Sequence, residues 1–335
     1  MGDFIGVVKK NRACKVPGMS SKFPAMLSMG SATFSYDISF HLSIFQNDKA
    51  ICFMSGFLSN VEELKRRYKL EKCSEASLIA QLYAANRENF HLDLDGNFSI
   101  CLYDKINDRL TVVRDKFGSR PIYFINELNF FALSTSLGLL VRNNLVPMSL
   151  NKEAFMDFML FQSRNCTNTF YNEIKRLDPR YLIRIEDGVV STSKISTTPP
   201  IKNKWIGIKN PIRRFSEIFK ESIQKSDLSD KNIGIMLSGG LDSSAISVAI
   251  KNIGFTNVKT FSANFTHLPK ESRDLSDETK FQKAVSSSIG YEHIFCSLEN
   301  VLPLKSIHST LDYYDEPTHF PNAYVWDTIC EAAKD

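Results

Sequence analysis

Ser238-Gly239-Gly240-Leu241-Asp242-Ser243-Ser244 is the stretch whose residue types and order can do chemistry. It comes after the apolar, strand-like run Asn232-Ile233-Gly234-Ile235-Met236-Leu237 and leads into a helical stretch that starts at Asp242 and reaches about Asn252. Glycines at a strand-to-helix junction let the main chain come close to phosphate oxygens. The first N–H groups of the next helix and the positive end of its dipole attract the same anion. Hydroxyls of Ser238, Ser243 and Ser244 add donors, and the Asp242 carboxylate can hold Mg2+ against those phosphates. The predicted binding set runs from Leu237 to Ser244, with Asp242 as the metal ligand. No Gly-Lys-Ser/Thr comes after the glycines, so the loop is not a Walker loop. The alternative is a Ser- and Gly-rich turn in which Asp242 is only a cap.

The elements around this loop alternate. Helix is expected over Asn210 to Lys225, strand over Ile233 to Leu237, helix over Asp242 to Asn252, strand over Val258 to Ala263, helix over Asp277 to Ile289 and strand over Glu292 to Phe295. Such alternation predicts a parallel, doubly wound sheet. The first half differs: short runs such as Ile51-Cys52-Phe53-Met54, Phe98 to Tyr103, Arg109 to Val113 and Pro121 to Phe124 read as strands bounded by turn formers. Helices are expected over Asn60 to Tyr68, with Asn60 as N-cap, and over Ser74 to Asn86, with Ser74 as N-cap. Strands with helices beside them give α+β packing. Thr197-Thr198-Pro199-Pro200 opens a polar break, so the predicted domains are residues 1–196 and 209–335, joined by a linker over 197–208.

With 335 residues, 43% hydrophobic and 23% charged, the chain can bury two ordinary cores. Its formal charge of +4 is spread out, and clusters such as Lys65-Arg66-Arg67 and Arg213-Arg214 suit solvated helix faces, which argues against a nucleic-acid partner. No apolar run reaches the length of a membrane span, and Met1-Gly2-Asp3-Phe4 does not open a signal peptide. Seven cysteines without a CxxC pair fit reduced thiols in a cytoplasm rather than a disulfide framework or a zinc site.

The loop resembles the SGGxDS loop of the N-type ATP pyrophosphatases, which cleave ATP between its α- and β-phosphates. Thr260-Phe261-Ser262-Ala263-Asn264-Phe265 and the acidic Asp277-Glu278 are similar to segments of the asparagine synthetase family, and so is Tyr314-Asp315-Glu316-Pro317 with Pro321-Asn322 after it. The resemblance implies ATP and Mg2+ as cofactors, Ala263 beside the adenine, and Asp315 and Glu316 on the acyl-acceptor side. The alternative for Asp315 and Glu316 is a helix start ahead of a proline. Family members continue past this segment into a glycine- and acid-rich loop, so the second domain is expected to be incomplete at Lys334-Asp335.

Residues 1 to 200 resemble the family's N-terminal-nucleophile glutaminase domain, an αββα sandwich also called a type 2 glutamine amidotransferase domain. Val113-Arg114-Asp115-Lys116-Phe117-Gly118-Ser119-Arg120-Pro121-Ile122-Tyr123-Phe124 is close to ARDRFGxKPLYY, and Asp95-Gly96-Asn97-Phe98, Phe131 to Thr135 and Arg176-Leu177-Asp178-Pro179 also match. These are architectural residues. The chemistry differs: Gly2 stands where the family needs a cysteine nucleophile with a free α-amine, and Cys14 is better read as a structural thiol. In the glutamine pocket His41 replaces the arginine that would grip the α-carboxylate, Ser55-Gly56-Phe57 replaces Asn-Gly-Glu, and Glu75 replaces an aspartate. A neutral histidine lacks the planar fork of arginine. The expectation is an inactive glutaminase domain.

The resemblance then implies an ATP-dependent amide ligase that forms an acyl-adenylate, with aspartate or another small-molecule or peptide carboxylate as substrate. Relatives without the cysteine, the β-lactam synthetases and lasso peptide macrolactam cyclases, close an amide within one substrate; partners would then include a precursor peptide and its maturation protease. A C-terminal partner chain would fit a split enzyme. A nucleotide-binding scaffold without turnover is the reading from another class.

Overall fold

The computed structural model describes residues 3–10, 25–36, 42–70, 73–86, 89–162, 165–195, 209–226, 228, 232–265, 269, 271, 277–299, 301, 311, 315–317, 319 and 323–334. The chain divides into two compact units, Met1–Ile201 and Lys202–Asp335. Residues 197–208, expected as a linker, lie outside the described residues.

Two six-stranded sheets make the first unit. Strands β1 (Phe4–Lys9), β2 (Ala25–Met29), β3 (Ala32–Tyr36), β8 (Tyr123–Asn126), β9 (Phe130–Ser134) and β10 (Lys175–Arg176) form one, in the order β10-β8-β9-β1-β3-β2. Strands β4 (Leu42–Gln46), β5 (Ala50–Leu58), β6 (Gly96–Asp104), β7 (Arg109–Arg114), β11 (Tyr181–Glu186) and β12 (Val189–Lys194) form the other, in the order β12-β11-β7-β6-β5-β4.

Side-chain alternation along each strand explains the layers. Ile51, Phe53, Cys101 and Tyr103 of the second sheet pack with Phe4, Phe34, Phe131 and Leu133 of the first. Their neighbours Cys52, Met54, Ile100 and Leu102 face the other way, onto Leu64 of α1 (Val61–Tyr68) and Leu78, Ile79 and Leu82 of α2 (Glu75–Asn86). On the far side of the first sheet Ile5, Val7 and Ala132 pack with Leu137 and Leu140 of α3 (Leu137–Arg142). The result is the expected αββα sandwich. Each fully buried leucine or phenylalanine in these layers stabilises it by about 1.5–3 kcal/mol.

Local chemistry sets the helix ends. Ser74 caps α2 as expected, its hydroxyl accepting from the Ser77 N–H at 3.3 Å. Asn60 does not cap α1 through its side chain. Its amide instead donates to the Asp93 carbonyl at 2.8 Å and accepts from the Asp95 N–H at 3.1 Å, because a distant loop supplies better partners than the helix start.

The second unit is a parallel sheet, β13 (Ile233–Met236), β14 (Val258–Asn264) and β15 (Glu292–Ser297), in that order. Among the described residues four helices belong to it: α5 (Pro211–Gln224), α6 (Leu241–Ile253), α7 (Thr279–Ile289) and α8 (Ala323–Ala332). Asn210 caps α5 by accepting from the Arg213 N–H at 3.0 Å. Val325 and Ile329 of α8 close a core over Phe261, Ala263, Cys296 and Leu298. Parallel strands with helices between them make the α/β sheet expected of the second half.

Two residues of the first unit give tests. Gly56 has φ +110°, and a Cβ there would lie 2.0 Å from the Asn97 carbonyl oxygen on the paired strand. Gly56→Ala is expected to lower stability by about 2–4 kcal/mol in urea unfolding, from backbone strain plus the clash. His91 is buried in the 3-10 turn Phe90–Asp93, and burial, helped by Arg184, pushes its pKa down to about 4 from an ordinary 6.5. The unfolded chain therefore takes up the proton first, and stability falls as pH drops from about 6.5 to about 4, by up to about 3 kcal/mol. His91→Phe should flatten that part of the urea midpoint against pH.

Candidate nucleotide site

Leu237 follows directly on β13 and is still bonded to the sheet. Its N–H donates to the Phe261 carbonyl at 2.8 Å, its own carbonyl accepts from the Ser262 hydroxyl, and it is 1% exposed. The chain then leaves the sheet and re-enters as α6 within four residues. Gly239 makes that turn at φ +91°, where a side chain would be strained; its Cβ would also meet Glu278 at 3.1 Å and Gln282 at 3.2 Å. Gly240 sits at the N-cap position of α6 with no side-chain cap. The unpaired N–H groups of the first helical turn thus open at the loop, with the exposed Asp242 among them.

The hydroxyls are organised within the loop. Ser238 and Ser243 share a hydrogen bond of 3.0 Å between their hydroxyl oxygens, and Ser243 also accepts from the Ser238 N–H at 3.2 Å. The Gly240 N–H donates to the Ser238 hydroxyl at 3.2 Å, while the Ser244 hydroxyl donates to the Gly240 carbonyl at 2.7 Å. These bonds hold the turn in shape. Exchange of the Ser238–Ser243 bond for bonds to an incoming anion needs only hydroxyl rotation.

A residue that the sequence does not single out completes the loop. Gln282, on α7 and 4% exposed, donates from its side-chain amide to the Ser238 carbonyl at 3.1 Å. Its Oε1 is buried and lacks a hydrogen-bond partner among the described residues. Only tertiary structure brings a polar residue 44 positions downstream under this turn. The weak signal in the sequence is a glutamine on the buried side of α7.

Ala263, on the strand next to β13, is buried with its side chain in the core formed by α8, so what it offers a base is its main chain at the end of β14. Asp315 takes a left-handed φ of 60° and, with Glu316, precedes α8. Tyr314, Pro321 and Asn322 lie outside the described residues. Among the described residues no group of three or more His, Cys, Asp or Glu side chains could hold a metal ion. Asp242 could therefore hold Mg2+ only together with phosphates of the nucleotide, a fit with its place at the helix start.

In the first unit the glutamine-pocket positions are tied to structure. Ser55 is buried, and Glu75 accepts from the Leu58 N–H at 2.7 Å. Gly56 is required by its positive φ and by the Asn97 carbonyl next to it. Gly2, Cys14 and His41 lie outside the described residues. The Arg114-Asp115 pair serves the turn immediately after it: the Arg114 guanidinium donates to the carbonyls of Arg120, Leu177 and Gly118, and the Asp115 carboxylate accepts from the N–H groups of Phe117 and Ser119, each at 2.8 Å.

An αββα unit of amidotransferase type, then a parallel-sheet unit with a glycine-rich strand-to-helix loop, defines a two-domain class of protein. A family model for the glutamine amidotransferase domain matches residues 44–195, and one for asparagine synthase matches residues 214–335. The glutamine-hydrolyzing asparagine synthetase 1 of Bacillus subtilis is 24% identical over 311 residues, covering 91% of this chain and 46% of that protein. The glutamine-hydrolyzing asparagine synthetase of Rattus norvegicus is 25% identical over 297 residues, covering 80% and 48%. A probable asparagine synthetase of Acanthamoeba polyphaga mimivirus is 27% identical over 242 residues, covering 66% and 39%. The chain belongs to the asparagine synthetase family, and it spans about half the length of the curated relatives it matches.

Gln282→Met keeps the bulk of the side chain and removes the amide that holds the Ser238 carbonyl. Calorimetric titration with ATP is expected to show affinity reduced about 5–10-fold, the worth of one hydrogen bond. Unchanged affinity would remove Gln282 from the site.

Proposed function

We propose that this chain belongs to an ATP-dependent carbon–nitrogen ligase of asparagine synthetase type and carries the part of it that binds ATP. The observation that carries this reading is the loop from Leu237 to Ser244, in which two glycines and an uncapped helix start present main-chain N–H groups to an anion. In the proposed reaction a substrate carboxylate oxygen attacks the α-phosphorus of ATP and the bond to the β-phosphate breaks. Pyrophosphate leaves and an acyl-adenylate remains. An amine nitrogen then attacks the acyl carbon, and AMP leaves with the proton balance restored through solvent. The loop's N–H groups would hold the β- and γ-phosphates, Asp242 would hold Mg2+ against them, and Asp315 and Glu316 would face the acceptor.

The amine in this reading does not come from glutamine. Gly2 has no nucleophile at the aligned position, Glu75 engages the Leu58 N–H, and Ser55-Gly56-Phe57 stands in place of Asn-Gly-Glu. Ammonia or an amine of the substrate itself is the source, and these altered positions favour an intramolecular amide, as in a β-lactam or a cyclised peptide. Aspartate and peptide carboxylates are the candidate substrates, with a precursor peptide and its protease as partners in the second case. A reducing cytoplasm suits the six described cysteines, all free thiols. Among the described residues no helix is long and apolar enough to cross a membrane.

ATP–pyrophosphate exchange tests the proposal. With aspartate, or with a peptide bearing an acidic side chain, exchange is expected to depend on Mg2+, to fall at least tenfold in Asp242→Asn, and to be indifferent to glutamine. ATP binding without exchange for any acid would instead support a nucleotide-binding scaffold, and glutamine-dependent amide formation would show that the first domain still hydrolyses glutamine.

A further inference from the structure

Two helix starts meet at the glycine-rich turn. α6 begins at Leu241, directly after it, and α7 begins at Thr279 against its side. A Cβ on Gly239 would lie 3.1 Å from the Glu278 Cβ, 3.1 Å from the Glu278 carbonyl oxygen and 3.2 Å from the Gln282 Cγ. Glu278 and Gln282 stand four residues apart, which puts both on one face of the helix. Gln282 fixes that face to the loop, since its side-chain amide donates to the Ser238 carbonyl at 3.1 Å. Glu278 is therefore held beside the turn in a set register.

Its carboxylate has no structural duty there. Glu278 occupies the N-cap position of α7, yet its side chain makes no cap hydrogen bond. Asp277 accepts from the Thr279 N–H instead, at 2.9 Å. The Glu278 side chain is exposed, and no hydrogen bond or ion pair holds it among the described residues. Lysines on the same helix do not answer its charge. Lys280 follows two positions on, where side chains do not face each other, and the Lys283 ammonium lies over the Phe295 ring, 5.8 Å from its centre.

A carboxylate in this place works against a bare anion. The turn and the start of α6 gather main-chain N–H groups and hydroxyls, a surface that attracts phosphate. A charge fixed at its edge acts over about 8 Å at physiological salt, so Glu278 opposes any anion that arrives alone. Asp242, exposed in the first turn of α6, adds to that opposition. Two carboxylates beside an anion site suit an anion that brings its own cation. Mg2+ bridging the β- and γ-phosphates cancels much of the nucleotide's charge and gives both carboxylates something to attract.

We propose that Glu278 is a specificity-determining residue of the nucleotide site: its charge excludes metal-free ATP, so that the loop takes the nucleotide as its Mg2+ complex. The inference rests on the nucleotide reading of the loop and extends it to the form of nucleotide bound. Glu278 acts on the phosphates through space, without a bond to the metal.

Calorimetric titration of the full chain with ATP, once in EDTA and once in excess Mg2+, measures the preference. Wild type is expected to bind the Mg2+ complex at least about tenfold more tightly than metal-free ATP. In Glu278→Gln metal-free ATP should bind about three- to tenfold more tightly than in wild type, and the preference should shrink by about that factor. By linkage the ATP-bound protein's affinity for Mn2+, followed by electron paramagnetic resonance, should fall by the same factor. Glu278→Asp keeps the charge and should keep most of the preference. The difference between wild type and Glu278→Gln should narrow in about 0.5 M NaCl, where an exposed charge is screened. A carboxylate that only complements the α7 dipole would leave the preference unchanged in Glu278→Gln. That result would overturn the proposal while the nucleotide reading stood. Failure of ATP to bind in either condition would overturn both together.

Discussion

The second unit depends on how one buried residue stops a strand. Leu237 has both main-chain groups satisfied by β14, so the chain can leave the sheet there without stranding a polar atom in the core. The path beyond it is forced. The turn must clear Glu278 and Gln282 of α7, which only a glycine at position 239 can do, and α6 must begin before the main chain has gained a side-chain cap. An uncapped helix start leaves orphan N–H groups and the positive end of a dipole, worth up to about 2 kcal/mol to a partly buried negative charge placed there. The proposed nucleotide site thus rests on the path of the backbone more than on any one side chain.

That origin explains how much of the site was legible in the sequence. A strand, two glycines and a helix start are local features, written within a dozen residues, and the loop from Leu237 to Ser244 falls where its pattern puts it. The same holds for the αββα layering, since alternation and helical spacing are local signals. What fails to show is whatever depends on residues far apart. Gln282 looks like any polar helix residue until α7 is folded against the loop. Asn60 has the type and position of an N-cap, yet residues 93–95 take its side chain, and no window around α1 contains that information. Serine hydroxyls in the loop show a subtler limit: their types suggest phosphate donors, while their geometry shows them bonded to one another.

In the first unit the sequence speaks more clearly about architecture than about chemistry, and the structure gives the reason. Arg114 and Asp115 lie in the stretch that resembles ARDRFGxKPLYY, and both are occupied with the main chain of one turn. Residues that hold a turn in a sandwich must persist for the fold to persist. Positions that would bind glutamine have no such duty unless they acquire one. Glu75 has such a duty through the Leu58 N–H, and Gly56 is held by a backbone φ and a close carbonyl. A domain can in this way keep its shape while its pocket drifts, so resemblance over the whole unit is no guide to what the pocket does.

Arg180 presents the converse case, a position where the fold demands little and the residue supplies much. The backbone needs a left-handed residue between Pro179 and Tyr181, and two main-chain hydrogen bonds fix that shape for any occupant. Glycine would meet the need without strain, whereas arginine costs about 1 kcal/mol or more there. Strain of this size is small beside the stability of the sandwich, so the fold tolerates it, but tolerance does not explain the choice. The side chain must contribute something that glycine cannot. Its Nε bond to the Lys116 carbonyl is one such contribution, since it ties the start of β11 to the turn after β7.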